Sequence, residues 1–157
     1  MRRIVSALSL LALGAASLAA RSVHADDGLK GIDTMHGVCK KLTVAGKDRR
    51  SDCKGVLLNT RYADRRTGFY FVTLDGTMIT FSGPGDLSQR EATTTGTYPI
   101  DIITFKIEGD VRKLTAKGMC HTSKPVAALA KLRCRADAEF GRFEGEFLPD
   151  GSKPSRS

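Results

Sequence analysis

The residues best suited to chemistry in this 157-residue chain are four cysteines, Cys39, Cys53, Cys120 and Cys134. Thiols ligate metals, attack electrophiles or oxidise to disulfides, and their spacing discriminates among these uses. Cys39 to Cys53 and Cys120 to Cys134 are both C-x13-C, and the surroundings echo each other: Gly37-Val38-Cys39-Lys40 resembles Gly118-Met119-Cys120-His121. Four cysteines allow three connectivities. The repeated spacing predicts local pairing, Cys39–Cys53 and Cys120–Cys134, each bridge tying one hairpin. Closing a loop of about 15 residues stabilises by at most ~3 kcal/mol in the chain-entropy view.

A metal reading fails on spacing. His36 and His121 lie near Cys39 and Cys120, but structural zinc sites use close C-x2–4-C pairs and none is present. Adjacent strand residues such as Cys120 and His121 also point to opposite faces. Catalytic motifs are missing as well: no Gly-x-Ser-x-Gly, HExxH or P-loop occurs. Oxidised cysteines cannot serve as nucleophiles, and Glu144 and Glu146 read as solvent-facing alternation rather than a converging acid–base pair. No cofactor or metal is expected, and the chain reads as non-enzymatic.

Disulfides require an oxidising compartment, and the first 25 residues supply the route. Arg2 and Arg3 precede a stretch without charge from Ile4 to Ala20, and Val23-His24-Ala25 is an A-x-A-like cleavage site before Asp26. Residues 1–25 are thus expected to be a cleaved secretory signal, leaving a periplasmic or secreted protein with no transmembrane segment.

The other chemistry-bearing group is basic. The chain holds 25 Lys and Arg against 17 Asp and Glu, a net +8. Without residues 1–25, which contain three arginines and no acid, the balance is +5. It is uneven: residues 40–66 carry +6 and 111–135 carry +7, while 26–39, 67–110 and 136–157 are acidic. The two basic blocks coincide with the two cysteine units. If these units lie side by side, Arg49, Arg50, Arg65, Arg66, Lys124 and Arg133 would present one positive surface to an anionic partner. Anionic lipid, polysaccharide or an acidic protein would fit. Nucleic acid is not expected, because no aromatic RNP-like pattern accompanies the bases.

The elements that must position these residues are strands. Phe69–Leu74 and Thr77–Phe81 flank Asp75-Gly76, which suits a type I′ turn. Ile103, Phe105 and Ile107 alternate with Thr104, Lys106 and Glu108, and Leu132, Cys134, Ala136 and Ala138 alternate with Arg133, Arg135, Asp137 and Glu139. Gly-, Ser- and Thr-rich residues 83–98 read as a long loop, and residues 126–131 fit one helical turn. The expected organisation is a loose lead-in over 26–36, one β domain over 37–148 and a disordered polar tail over 149–157. The fold class is all-β, a small antiparallel barrel or sandwich of about eight strands in sequential hairpins with two disulfides.

Such a chain would be a small exported binding module for an anionic envelope component. The alternative is a periplasmic protein-interaction factor, such as an inhibitor or accessory subunit.

Overall fold

A computed structural model of the chain describes residues 28–85, 96–107, 109–123 and 131–157. The expected signal, Lys124, residues 126–130 of the expected helical turn and residues 86–95 of the expected loop lie outside them. The strands are β1 (Leu29–Val44), β2 (Lys47–Asp48), β3 (Cys53–Tyr62), β4 (Thr67–Thr73), β5 (Met78–Gly83), β6 (Thr97–Ile107), β7 (Asp110–Thr122), β8 (Leu132–Ala138), β9 (Gly141–Pro149) and β10 (Ser155–Arg156). No α-helix occurs among the described residues, and no helix there is long and apolar enough to cross a membrane.

Eight antiparallel strands close into a barrel because β1 is long enough to join both edges. Its first half pairs with β3, from Leu29↔Tyr62 to His36↔Val56, and its second half pairs with β9, from Gly37↔Pro149 to Thr43↔Glu144. The change of partner falls at Gly37, where a Cβ would stand 2.2 Å from the Leu148 carbonyl oxygen. Only glycine permits that approach. A bulge between Cys39 and Lys41 then shifts the inward face from odd to even residues, so that Leu42 is fully buried. Barrel closure, which alternation alone leaves undecided, rests on this one strand.

The interior is filled by side chains, as suits eight strands. Phe71, Phe81, Phe143, Phe147, Leu42, Leu57 and Ile103 are the largest apolar groups and are almost wholly buried. Phe71 meets Phe81 edge-on with centroids 5.7 Å apart, and Phe105 meets Phe143 at 5.2 Å. The alternation expected in β8 holds: Leu132, Cys134 and Ala136 are buried while Arg133, Arg135 and Asp137 face water.

Both disulfides form as the spacing predicts. Cys120 and Cys134 are direct ladder partners in β7 and β8. Cys39 is different, for its ladder partner is Phe147 of β9. Its bond to Cys53 therefore clips β3 back to β1 at the place where β1 has left β3 for β9.

The structure corrects three expectations. The lead-in is not loose, since β1 begins at Leu29 and the inward positions of its first turns are Gly31 and Asp33 rather than apolar residues. The tail is pinned: Asp150 N–H donates to the His36 carbonyl, Ile32 and Ser157 exchange backbone hydrogen bonds of 2.9 and 3.1 Å, and Arg156 Nε donates to Asp33 Oδ1 at 2.8 Å. A carboxylate taken out of water needs such partners, and Arg61 Nη1 supplies the second. The Asp-Gly turn is not type I′ either. Gly76 N–H donates to the Thr73 carbonyl and only Gly76 has positive φ, +81°, which gives a type I turn with a glycine bulge. Asp75 drives that choice by accepting from Thr73 Oγ1, Thr77 N–H and Thr77 Oγ1.

Candidate anion-binding groove

The antiparallel connections divide the loops between two ends of the barrel. The upper end carries the turns at residues 45–52, 74–77, 109 and 139–140; the lower end carries residues 63–66, the tail and the Asp33 contacts. Arg49 and Arg50 are at the upper end, while Arg65 and Arg66 are at the lower end, the ten residues of β3 apart. At ~3.4 Å per residue that is about 30 Å. The expected single surface of these four arginines therefore does not exist. Two are also engaged: Arg49 with Asp52, and Arg66 with both oxygens of Asp101 at 3.0 and 2.5 Å. The Arg66 hydrogen bonds and charge hold the Asp101 carboxyl below its ordinary range despite burial. Arg50 and Arg65 are exposed, and Lys124 lies outside the described residues.

The sixth predicted residue, Arg133, belongs to a larger feature. Strands β7, β8, β9 and β1 are consecutive in the wall, so the two basic blocks do share one outer face, with β9 between them. A groove of about 670 Å³ runs over this face, lined by Lys41 from the first block, by Lys117, Met119, His121, Arg133 and Arg135 from the second, and by Asp137, Glu144 and Glu146. The buried Cys120–Cys134 bridge fixes β7 to β8 directly beneath it.

The carboxylates of this wall are spoken for. Glu144 binds Lys41 at 2.7 Å, Glu146 binds Lys131 and Arg133, and Asp137 binds Arg142 at 2.9 Å. The Lys131 hydrogen bond is the main reason that the Glu146 carboxyl sits below its usual range; the Lys131 and Arg133 charges add to it against some desolvation. Arg135 stands opposite Glu144 in the ladder, and Lys117 opposite Asp137. Since those acids are turned to Lys41 and Arg142, Arg135 and Lys117 have no carboxylate within 4.0 Å among the described residues. They occupy diagonal positions on β7 and β8, about 7–8 Å apart. One carboxylate or phosphate fits between two long cationic side chains at that spacing, with a guanidinium fork on one side.

Sequence reading missed this pair because it singled out cations by their runs, whereas the register decides which cation keeps its acid. Spacing held part of the signal: Glu144 and Glu146 on one strand face mark β9 as the acidic neighbour. A second outer groove, of about 500 Å³, lies across β3 to β7 and is lined by Tyr62, Tyr70, Thr80, Ser82, Thr104 and Lys113, with the two tyrosine hydroxyls 3.0 Å apart. It holds fewer cations. No group of three or more His, Cys, Asp or Glu able to hold a metal occurs among the described residues. No protein family, curated protein or solved structure matches this chain.

Proposed function

We propose that the chain is a small exported, non-enzymatic binding module for an anionic envelope component, engaged through the groove over β7, β8, β9 and β1. The observation that carries the proposal is the Lys117–Arg135 diagonal pair, two exposed cations left without acids, among the described residues, on a wall whose described carboxylates are paired elsewhere. Lys41, Arg133 and His121 extend the row in both directions, which suits a polymer bearing repeated carboxylates or phosphates better than a single small anion. The two disulfides agree with an exported protein.

Calorimetric titration with polygalacturonate and with neutral dextran tests this reading. Binding to the polyuronate should fall steeply with salt, because exposed charges are screened within ~8 Å at physiological ionic strength. Replacing Lys117 and Arg135 with Ser should weaken it by about fivefold for each charge. Folding should stay intact, because exposed substitutions shift stability by about 0.5 kcal/mol or less. Equal affinity for dextran, or full binding by the double variant, would overturn it.

A further inference from the structure

Six large hydrophobic residues are markedly exposed among the described residues, and four of them belong to the upper end: Leu74, Met78, Val111 and Phe140. Isolated exposed hydrophobics are ordinary, but these sit on three of the four turns that ring one end. They are joined to the fourth turn by short contacts. Leu74 N–H donates to the Asp52 carbonyl at 2.7 Å, and Gly46 N–H donates to the Arg142 carbonyl beside Phe140, also at 2.7 Å. Phe140 meets Phe105 edge-on at 6.5 Å, and Val111 pairs with Lys106, the residue after Phe105. The four apolar tips and the 45–52 turn thus form one continuous crown.

The fourth turn is basic. Around it Lys47, Arg50 and Lys54 have no carboxylate within 4.0 Å among the described residues, and neither has Lys106 beside Val111 at the β6–β7 turn. Of the acids at this end, Asp52 pairs with Arg49 and Asp110 with Arg112, Asp75 and Asp48 accept hydrogen bonds from threonines and from the Arg50 N–H, and the exposed Glu139 beside Phe140 has no cation within 4.0 Å among the described residues. We infer that the upper end is a docking surface for an anionic lipid bilayer: Leu74, Met78, Val111 and Phe140 enter the acyl boundary and the unpaired cations of the fourth turn meet the headgroups. This surface is separate from the groove on the barrel wall. It would set the groove upright above a membrane, open to a polymer attached there.

The chain has no tryptophan, so single-tryptophan reporters read the geometry directly. Leu74→Trp places a probe in the crown, and Val38→Trp places one on β1 at a site that is exposed but outside the crown. The folded, exported proteins are mixed with vesicles of phosphatidylglycerol and phosphatidylcholine, and with phosphatidylcholine alone, across a salt series. The Leu74→Trp emission should shift to the blue with anionic vesicles only, and the Val38→Trp emission should not move. In co-sedimentation, Leu74→Ser with Val111→Ser should weaken vesicle binding at least tenfold, because two apolar side chains no longer enter the acyl boundary. Lys117→Ser with Arg135→Ser should bind vesicles like the parent, so failure of the groove and failure of the crown are told apart. Blue shifts at both positions, equal binding to neutral vesicles or no binding would overturn the inference. A monomer–dimer equilibrium abolished by Leu74→Ser in sedimentation velocity, without vesicle binding, would instead make the crown a contact between two copies.

Discussion

Replacing Asp33 with Asn tests how the lower end is held together. The Asp33 side chain is 12% exposed and accepts hydrogen bonds from Arg61 and Arg156. Burial alone would raise its carboxyl, but the hydrogen bonds and charges of Arg156 and Arg61 outweigh it and hold the group below the ordinary 3.8. A hydrogen bond to a charged group contributes about 1.5–3 kcal/mol when shielded. The Arg61 side chain is 44% exposed, which brings that pair down toward the ~0.2–1 kcal/mol of surface pairs, and the fully exposed Arg156 adds less. The loss should be about 1 kcal/mol, or roughly 2–4 °C in Tm for a chain of this size. The pH dependence follows from the lowered folded value. The stabilisation is present above the unfolded carboxyl value and is lost as pH falls through the folded one. Urea unfolding of the parent and Asp33→Asn should therefore differ at pH 7 and converge in acid, where Asp33 is protonated in the folded state as well. Hydrogen exchange at the Ile32 and Ser157 amides should quicken in the variant at pH 7. A gap unchanged between pH 7 and acid would refute the ionic account of the clamp, and unchanged exchange would refute its role in pinning the tail.

Three further outcomes follow from single contacts. Gly145→Val should destabilise by about 1–3 kcal/mol, because a Cβ at position 145 would stand 2.4 Å from the buried Phe71 ring; a thermal melt decides it. In urea, removing Cys120–Cys134 by paired alanines should cost more than removing Cys39–Cys53. The loops have the same length, but only the former pair is fully buried; each loss should fall within the usual ~2–5 kcal/mol. Asp75 should titrate at about 2 by NMR, lowered first by the Thr73 hydroxyl and then by the Thr77 amide and hydroxyl. Thr73→Val should return it toward 3.8.

Much of the fold was legible because it follows from alternation. Strand positions from Phe69 to Phe81 and from Leu132 to Phe147 show the period-two pattern, and the equal C-x13-C spacing gave both bridges. Barrel closure was hidden, because it depends on one strand changing partner at Gly37 and bulging at Lys40–Lys41, and neither event alters composition. The ends of the chain misled for a related reason. The buried Asp33 and the exposed Arg156 are polar, yet they are ladder partners 123 residues apart, and local polarity reads as disorder when its partner is distant. The basic residues were visible but wrongly grouped. Arg49, Arg50, Arg65 and Arg66 are near in sequence, yet a ten-residue strand between them must send them to opposite ends, a consequence already implicit in reading Cys53–Tyr62 as a strand. Lys117 and Arg135 stand out only once the register shows which acids are taken.

The groove's role is tested most directly by mapping where a polyanion touches the protein. Isotope-labelled protein titrated with short polygalacturonate should show its largest amide shift changes at Lys117–Met119 and Arg133–Arg135, with smaller ones at Lys41. All of them should fade as salt rises and vanish in the variant that carries Lys117→Ser and Arg135→Ser. Shift changes centred on Lys47–Arg50 or on residues 63–66, or none at any polymer concentration, would contradict the assignment of this face as the binding surface.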